Sequence, residues 1–311
     1  EDLLYSVPVP AQTGVSNTSV TMNAASMENS GFEFSATYRN RDHAFKYDIS
    51  ANLSTLKNKV TSLGIGKDSY ISGAYATYVG QEIGQFYGWV YEGIARNQSD
   101  LDGHATQQGV NVGDCLYKDI SGTEGTPDGV IDAYDQTVLG SGLPKVNFGL
   151  STHMEYKGFD LNISTYGVLN YHVSDDIYNS LNSCYGYGNK EVGMLDANRW
   201  SEDGTYLSSV PRTYAANNAT LAWNDLFSSR KIQNAAYWKI ANVELGYNFP
   251  DKWFGGYVSG VRLYVSAQNL YTFTGYHGYN VDYAGGTFTP GYNFCSFPSA
   301  RTFMAGLHFT F

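Results

Sequence analysis

Pro144–Tyr171 reads PKVNFGLSTHMEYKGFDLNISTYGVLNY, and this stretch decides the fold. Apolar or β-forming residues take every second position from Val146 to Tyr156, and the alternation restarts at Phe159 after Lys157-Gly158. Strict alternation predicts two strands that each have one apolar face, and a two-residue connection predicts a tight hairpin.

The hairpin turn also predicts which side chains lie opposite each other. The apolar face pairs Tyr156 with Phe159, Met154 with Leu161 and Thr152 with Ile163, whereas the polar face pairs Glu155 with Asp160 and His153 with Asn162. A half-buried sheet of a soluble protein shows the same alternation. The hairpin alone therefore leaves open what covers its apolar face.

The composition restricts the class of protein. Of the 311 residues 15% are charged, against about 25% in average soluble domains, and 15% are aromatic, with 27 Tyr and 34 Gly. The formal net charge of −10 argues against a nucleic-acid partner. No run of about 18 apolar residues predicts a membrane helix, although the strands of a membrane barrel escape such a search.

The three cysteines are Cys115, Cys184 and Cys295, and their spacing matches no metal–thiolate or redox motif. A disulfide between Cys184 and Cys295 remains a hypothesis that requires both residues to lie on external loops.

Alternation recurs in further segments of the chain. Strands are predicted for Gly31–Tyr38, 45–54, Tyr237–Phe249, 261–271 and 301–311, with a short strand in Glu1–Gln12 and a loop or frayed strand in Ala11–Ser30. In Tyr237–Phe249 the predicted apolar face carries Tyr237, Ala241, Val243, Leu245, Tyr247 and Phe249.

Short and long connections between these strands alternate strictly. The long stretches are 57–145, 172–236 and 272–300, and loops of that length are uncommon in compact soluble domains. Short turns at one rim and long loops at the other are typical of outer-membrane barrels, which must close because lipid satisfies no backbone polar group. The sequence therefore predicts an all-β, antiparallel transmembrane β-barrel. Lipid then covers the face with Phe148, Leu161, Val243 and Phe309.

Several motifs, in order, resemble the SusC/RagA-type TonB-dependent outer-membrane transporters. They are NSGFE at 29–33, GQFYGWVYEG at 84–93, Gly113-Asp114 with Tyr117-Lys118-Asp119, DGVID at 128–132 with Asp135, Leu139-Gly140 and Pro144, Gly149 with YKGFD at 156–160, NRW at 198–200, YWKIANVELGY at 237–247, AQNLY at 267–271 and the terminal Phe311.

The resemblance implies that 1–311 is the C-terminal part, seven to eight strands, of a larger 22-stranded barrel with long extracellular loops. The chain carries no recognisable signal peptide, plug or N-terminal domain, so a mature product or a fragment is expected. The implied partners are a SusD-like surface lipoprotein, the upstream barrel and plug portion, TonB and outer-membrane lipid. The short turns are then periplasmic. Phe311 is implied to be the assembly signal, the alternative being a last lipid-facing residue.

One acidic stretch has the spacing of a calcium loop. The ligand positions are taken by Asp119, Ser121, Asp128, Val130 (through its carbonyl), Asp132 and Asp135, with Gly129 at the sharp turn. The match requires an insertion at Thr123–Pro127 and lacks the final Glu. The alternative is an acidic, solvated loop closed by Asp-Gly turns.

Aromatic residues in the long loops are candidates for stacking on sugar rings or peptide side chains. They are Trp89, Tyr91, Tyr178, Tyr185, Tyr187, Tyr276, Tyr279 and Tyr283, and the alternative is packing within the loops or an aromatic girdle. Six charged residues are predicted on the inward, polar face: Glu33, Lys46, Asp48, Glu155, Asp160 and Arg262.

The pattern of residues supports no enzyme, since no Ser/His/Asp set or paired carboxylates stand out. The leading hypothesis is part of an outer-membrane transporter that imports oligosaccharides or oligopeptides. A passive or adhesin-like barrel and a soluble carbohydrate-binding β-sandwich remain as alternatives.

Overall fold

The structure is a computed structural model that describes residues 3–8, 19–64, 67–183, 189–192, 200, 210–213, 223–254, 258–282, 285–294 and 296–311. Seven strands form its main sheet. They are β1 (Glu33–Asn40), β2 (Phe45–Thr55), β3 (Val146–Tyr156), β4 (Phe159–Leu169), β5 (Tyr237–Phe249), β6 (Gly260–Thr274) and β7 (Thr302–Thr310). Among the described residues, no helix is long and apolar enough to cross a membrane.

The main sheet is an antiparallel meander in which each strand pairs with the next one along the chain. Short connections (41–44, 157–158 and 250–259) lie at one end of the sheet, here called the turn end. The long segments 56–145, 170–236 and 275–301 leave the opposite end, here called the loop end. The alternation of short and long connections is thus a property of the fold.

The central hairpin has the register that its sequence predicts. Tyr156 lies opposite Phe159, Met154 opposite Leu161, Thr152 opposite Ile163, Glu155 opposite Asp160 and His153 opposite Asn162. Lys157 and Gly158 have φ angles of 50° and 87°. A two-residue type I′ turn requires positive φ at both positions, which glycine adopts without strain.

The apolar face of the sheet is open. Phe309 is 50% exposed, and Phe148, Leu161 and Val243 belong to none of the buried clusters among the described residues. Large apolar side chains on this face of every strand are exposed: Phe34, Ile49, Leu150, Phe159, Leu245, Val265 and Leu307. An apolar surface of this extent requires a cover other than water.

One strand departs from the predicted alternation. Thr165 pairs with Ile240 and Ser164 with Asn242, so Ala241 is an extra residue, a β-bulge, in β5. The bulge reverses the side-chain alternation beyond it, because one inserted residue moves every following side chain to the other face. The prediction that Tyr237 shares a face with Val243 is therefore wrong; Tyr237 lies opposite Val168 on the polar side and is buried.

Further strands occur outside the main sheet. They are Leu3–Pro8, Ser19–Ser30, Lys57–Ser62, Ser69–Ser72, Tyr75–Tyr78, Gln85–Gly88, Tyr91–Ile94, Cys115–Tyr117, Thr137–Gly140, His172–Asp175, Gln233–Asn234, Gly285–Gly286, Thr289–Pro290 and Tyr292–Asn293. Within the described part of the chain, the helices are α1 (Gln98–Asp102), α2 (Asp176–Leu181) and single 3-10 turns at Ala133–Asp135, Ser229–Lys231 and Asp251–Trp253.

These elements refine two predictions. Ser19–Ser30, predicted as a loop or frayed strand, is a strand that pairs with Lys57–Ser62 and continues the β1–β2 hairpin beyond the sheet. The stretch 57–145 contains short strands rather than irregular chain. Most of them are only three or four residues long, too short to leave a period in the sequence.

The buried clusters lie among the long loops. One cluster joins Tyr171, Tyr237 and Tyr276 near the loop end of the sheet. A second contains Val60 and Leu63, and a third contains Cys115 and Tyr117. The loops therefore pack against one another and hold side chains in fixed positions at the loop end.

Candidate functional site

The polar face of the sheet carries a ladder of ion pairs near the turn end. Arg262 on β6 donates to both oxygens of Asp160, from Nε at 2.9 Å and from Nη2 at 2.5 Å, and reaches Glu244 at 2.7 Å. Asn248 donates to the same Asp160 at 2.9 Å. Paired guanidinium and carboxylate groups across three strands keep this face hydrophilic and ordered.

The ladder continues on the neighbouring strands. Arg41 binds Asp48 at 2.5 Å, Lys46 lies 3.7 Å from Glu155, and His153 lies 2.8 Å from Glu155. The cross-strand registers place the six residues predicted to point inward on this one face: Glu33, Lys46, Asp48, Glu155, Asp160 and Arg262.

The acidic loop uses its carboxylates mainly to hold its own backbone. Buried Asp135 accepts hydrogen bonds from the N–H groups of Ile120, Ser121 and Asp132, and Asp119 accepts one from Gly129 at 2.7 Å. Among the described residues, no group of three or more His, Cys, Asp or Glu is placed to hold a metal.

A single atom of this loop still favours a cation. Asp119 Oδ1 is buried without a hydrogen-bond partner, whereas Asp128 and Asp132 cap Val130 and Tyr134 at the exposed surface. A carboxylate that accepts one or two backbone N–H bonds still has lone pairs that could coordinate a cation. Calcium binding by this loop therefore stays a prediction.

The aromatic candidates are placed in different ways. Trp89 donates from Nε1 to the Asp132 carbonyl at 3.0 Å and packs against the Cys115 cluster. Tyr276 is buried and hydrogen-bonded to Asp175 and Asn293, and burial raises the pKa of its phenol. Both residues pack within the loops. Tyr279 is 63% exposed and lines a cavity with Tyr271 and Lys239.

Tyr91 and Tyr178 come together in a cavity of about 260 Å³. Three of the predicted candidates lie outside the described residues: Tyr185, Tyr187 and Tyr283. The proposed Cys184–Cys295 pair also lies outside them, whereas Cys115 is free and buried.

Local hydrogen bonds build the cavity at the loop end. Ser229 N donates to the Trp89 carbonyl and Ser229 Oγ accepts from Tyr91 N, both at 3.0 Å, so the turn Ser229–Lys231 is fastened to the strand Tyr91–Ile94. Asp175 caps α2 by accepting from Tyr178 N at 2.9 Å. The turn Ser229–Lys231, the strand Tyr91–Ile94 and α2 form the walls of the cavity, and the cap at Asp175 fixes the start of α2.

The rest of the lining is polar and escaped sequence analysis. It comprises Asn179, Asn182, Val210, Asp225, Arg230 and Lys231. These residues are distant in sequence from Tyr91 and follow no motif spacing. Their convergence depends on how the first two long segments pack.

A buried clamp holds those two segments together. Asp114, 1% exposed, accepts from Arg212 Nε at 2.6 Å, Arg212 Nη2 at 2.9 Å and Asn224 Nδ2 at 2.8 Å. The adjacent Cys115 is fully buried, and burial raises the pKa of its thiol to about 12. The loops at the cavity thus behave as a packed body.

Comparison with known proteins identifies relatives along the whole chain. TonB-dependent receptor P3 of Formosa agariphila is 32% identical over 330 residues, which cover all of this chain and 31% of the relative. TonB-dependent receptor SusC of Bacteroides thetaiotaomicron is 27% identical over 326 residues, covering all of this chain and 29% of SusC. Along its whole length the chain thus resembles TonB-dependent receptors, SusC among them. No family model matches it.

The solved structures agree on the fold of this chain. The RagAB peptide transporter superimposes with a TM-score of 0.76 over 98% of this chain and 31% of that chain, at 22% identity. The prediction of part of a larger transmembrane barrel is therefore confirmed. The chain spans about a third of the length of its receptor relatives, all of which are named as receptors rather than enzymes.

Proposed function

We propose that this receptor segment forms part of the wall and extracellular loops of an outer-membrane transporter that imports oligosaccharides or oligopeptides by a TonB-driven route. One observation carries the proposal: seven strands in register separate an exposed apolar face from a face lined with ion pairs. Lipid suits the first face and a hydrated lumen suits the second.

The packed loops suggest how a ligand is captured. A SusD-like surface lipoprotein would close over the loop end and trap a ligand against the loop cavities. The ligand would then pass along the polar face after rearrangement of the plug, which belongs to the upstream portion of the transporter together with its TonB contact. In this scheme the segment performs no catalysis, and its charged residues serve hydration and ligand contact.

The same scheme orients the segment. The turn end, with Lys157 and Gly158, would face the periplasm, and the loop end would face the exterior. Phe311 is 91% exposed and follows β7, which suits a terminal signal read by the barrel-assembly machinery. Removal of Phe311 from the intact receptor should reduce its amount in the outer membrane, whereas Phe311→Tyr, which retains the aromatic ring, should not.

Uptake by cells that produce the complete receptor tests the proposal. Labelled oligosaccharides and oligopeptides would be supplied to cells with and without the receptor, and with and without TonB. We expect receptor-dependent uptake of one class that disappears without TonB. Uptake that persists without TonB would instead support a passive barrel. Recovery of the receptor in the soluble fraction would support the β-sandwich, which the open apolar face argues against.

A further inference from the structure

The cavity beside Tyr91 and Tyr178 contains a guanidinium that joins no ion pair of the described residues. Arg230 is partly buried and lines the cavity, and within the described part of the chain its guanidinium makes no ion pair or hydrogen bond. Lys231 and Asp225 line the same space, where the Lys231 ammonium donates to the backbone carbonyl of Asp225. Arg230 therefore presents its donors to the cavity.

An unpaired guanidinium in a partly enclosed site is costly, because desolvation is not repaid by a partner. Arginine presents a planar fork of donors that matches a carboxylate in bidentate geometry. A site that keeps such a fork open and positioned is prepared for an anionic group. The ladder on the sheet shows the paired alternative, since Arg262 holds Asp160 in that same geometry.

Other lining groups define the shape and polarity of the ligand. Asn179 and Asn182 use their amide nitrogens within the fold, at 3.2 Å to Ser174 Oγ and 2.9 Å to the Tyr178 carbonyl. Their amide oxygens are left as acceptors for N–H or O–H groups of a ligand. The Tyr178 ring is held by stacking on His277, with centroids 5.8 Å apart and 16° between the planes.

The size of the cavity indicates how much of a ligand enters. Drug-sized ligands occupy pockets of about 300–1,000 Å³, so about 260 Å³ admits one residue or one sugar ring rather than a whole oligomer. The cavity lies at the loop end, where the turn Ser229–Lys231, the strand Tyr91–Ile94 and α2 meet.

We propose that this cavity binds one carboxylate-bearing unit of the imported oligomer, with Arg230 holding the carboxylate and Tyr91 and Tyr178 packing on the rest of that unit. The inference rests on the proposed import function and adds the chemistry of the ligand. Two sources supply that group: an acidic residue or free C-terminus of an oligopeptide, and a uronic acid of an oligosaccharide.

Binding to the complete receptor, purified in detergent together with any lipoprotein that co-purifies, tests the inference. The probes are a glutamate-rich hexapeptide and its fully amidated counterpart, and an oligogalacturonate and its methyl ester. We expect one acidic probe to bind and its neutral counterpart to bind roughly 10- to 100-fold more weakly, which is the range for a lost charge-assisted hydrogen-bond pair. Which acidic probe binds identifies the source.

Two variants assign the effect to Arg230. Arg230→Gln should weaken the binding of the acidic probe by that same factor and leave the binding of the neutral probe unchanged. Arg96→Gln removes an exposed cation from the same loop region outside the cavity and should leave both unchanged. A melting temperature equal to that of the wild type shows that the variant is folded.

The outcomes separate the two proposals. Equal binding of acidic and neutral probes, or an Arg230→Gln receptor that binds the acidic probe as tightly as the wild type, overturns the carboxylate site while TonB-dependent uptake can still hold. Failure of TonB-dependent uptake for every oligomer overturns the import function itself.

Discussion

Arg212 holds buried Asp114 through two guanidinium nitrogens, Nε at 2.6 Å and Nη2 at 2.9 Å, although 98 residues separate the pair. Asn224 donates to the same carboxylate. The contact joins the first long segment to the second beside the Cys115 cluster. The loops that shape the Arg230 cavity are thus connected through one buried charge.

Loss of that charge should loosen the loops. Asp114→Ala leaves Arg212 and Asn224 without their partner, and breaking a buried pair from one side costs about 3–5 kcal/mol. Hydrogen exchange of the intact receptor should show faster exchange at Cys115 and Tyr117. The control is Lys46→Ala, which removes the Lys46–Glu155 pair, half-exposed on both sides, and should cost at most about 1 kcal/mol. Equal exchange in both variants would contradict the clamp.

The two faces of the sheet should respond oppositely to charge. Ile163→Arg places a cation on the apolar face, where a charge near the middle of a bilayer costs about 2–4 kcal/mol. Ser164→Arg places the same side chain on the polar face. We expect the first variant to lower the fraction of folded, heat-modifiable receptor in outer membranes far more than the second. A larger loss for Ser164→Arg would reverse the assignment of the faces.

The bulge residue Ala241 should be dispensable for the facing of Lys239. Deletion of Ala241 makes Ile240 and Asn242 neighbours, so they can keep their pairings with Thr165 and Ser164, and Lys239 stays on the polar face with Asp282 at 2.6 Å. The deletion variant should therefore assemble in amounts near those of the wild type. Ile240→Lys, which places a cation on the apolar face, should instead cost about 2–4 kcal/mol. A loss of folded deletion variant as large as that of Ile240→Lys would contradict the pairing across the bulge.

Cys115 should resist alkylation. Burial raises the pKa of its thiol from 9.0 to about 12, so the reactive thiolate is scarcer by a factor on the order of 10²–10³ near pH 8. Modification at that residue, read by mass spectrometry, should be slow in the folded receptor and fast in denaturant. Rapid modification of the folded receptor would contradict the burial.

The same shift sets a pH dependence of stability. The unfolded thiol ionises near pH 9 and the folded thiol near pH 12. The folded state therefore keeps its proton over a range where the unfolded state has lost it. The contribution of the Cys115 thiol to the free energy of unfolding is fully present below pH 9 and is lost as the pH rises towards 12. Cys115→Ala should remove that part of the alkaline slope in thermal melts.

The calcium prediction is tested by calorimetric titration of the intact receptor. Binding through Asp119, whose Oδ1 is buried and unpaired, should release heat that disappears in Asp119→Asn. Asp100→Asn is a control at the exposed start of α1, where Asp100 accepts the Arg96 N–H. Absence of heat from the wild type would leave the carboxylates with the capping role that their hydrogen bonds describe.

Several features of the fold were predictable because they depend on near neighbours. A two-residue turn and strict alternation determine the register of the Tyr156–Phe159 hairpin, since each step along both strands follows from the turn. The same alternation of side chains places the six charged residues on the polar face, as predicted. Tyr237 did not follow it, because an inserted residue such as Ala241 leaves no mark in the pattern of polar and apolar letters. Arg230 joined no prediction, because Tyr91 and Tyr178, which line the same cavity, lie far from it in sequence.

By itself the sequence determined an antiparallel barrel wall with one apolar and one polar face, because side-chain period and turn length are local properties of the chain. The tertiary structure decided where the bulge reverses β5, which long segments pack together, and that Arg230 lines one cavity with Tyr91 and Tyr178. These are contacts between residues far apart in the chain, and their energy depends on distances and burial that only the folded loops define.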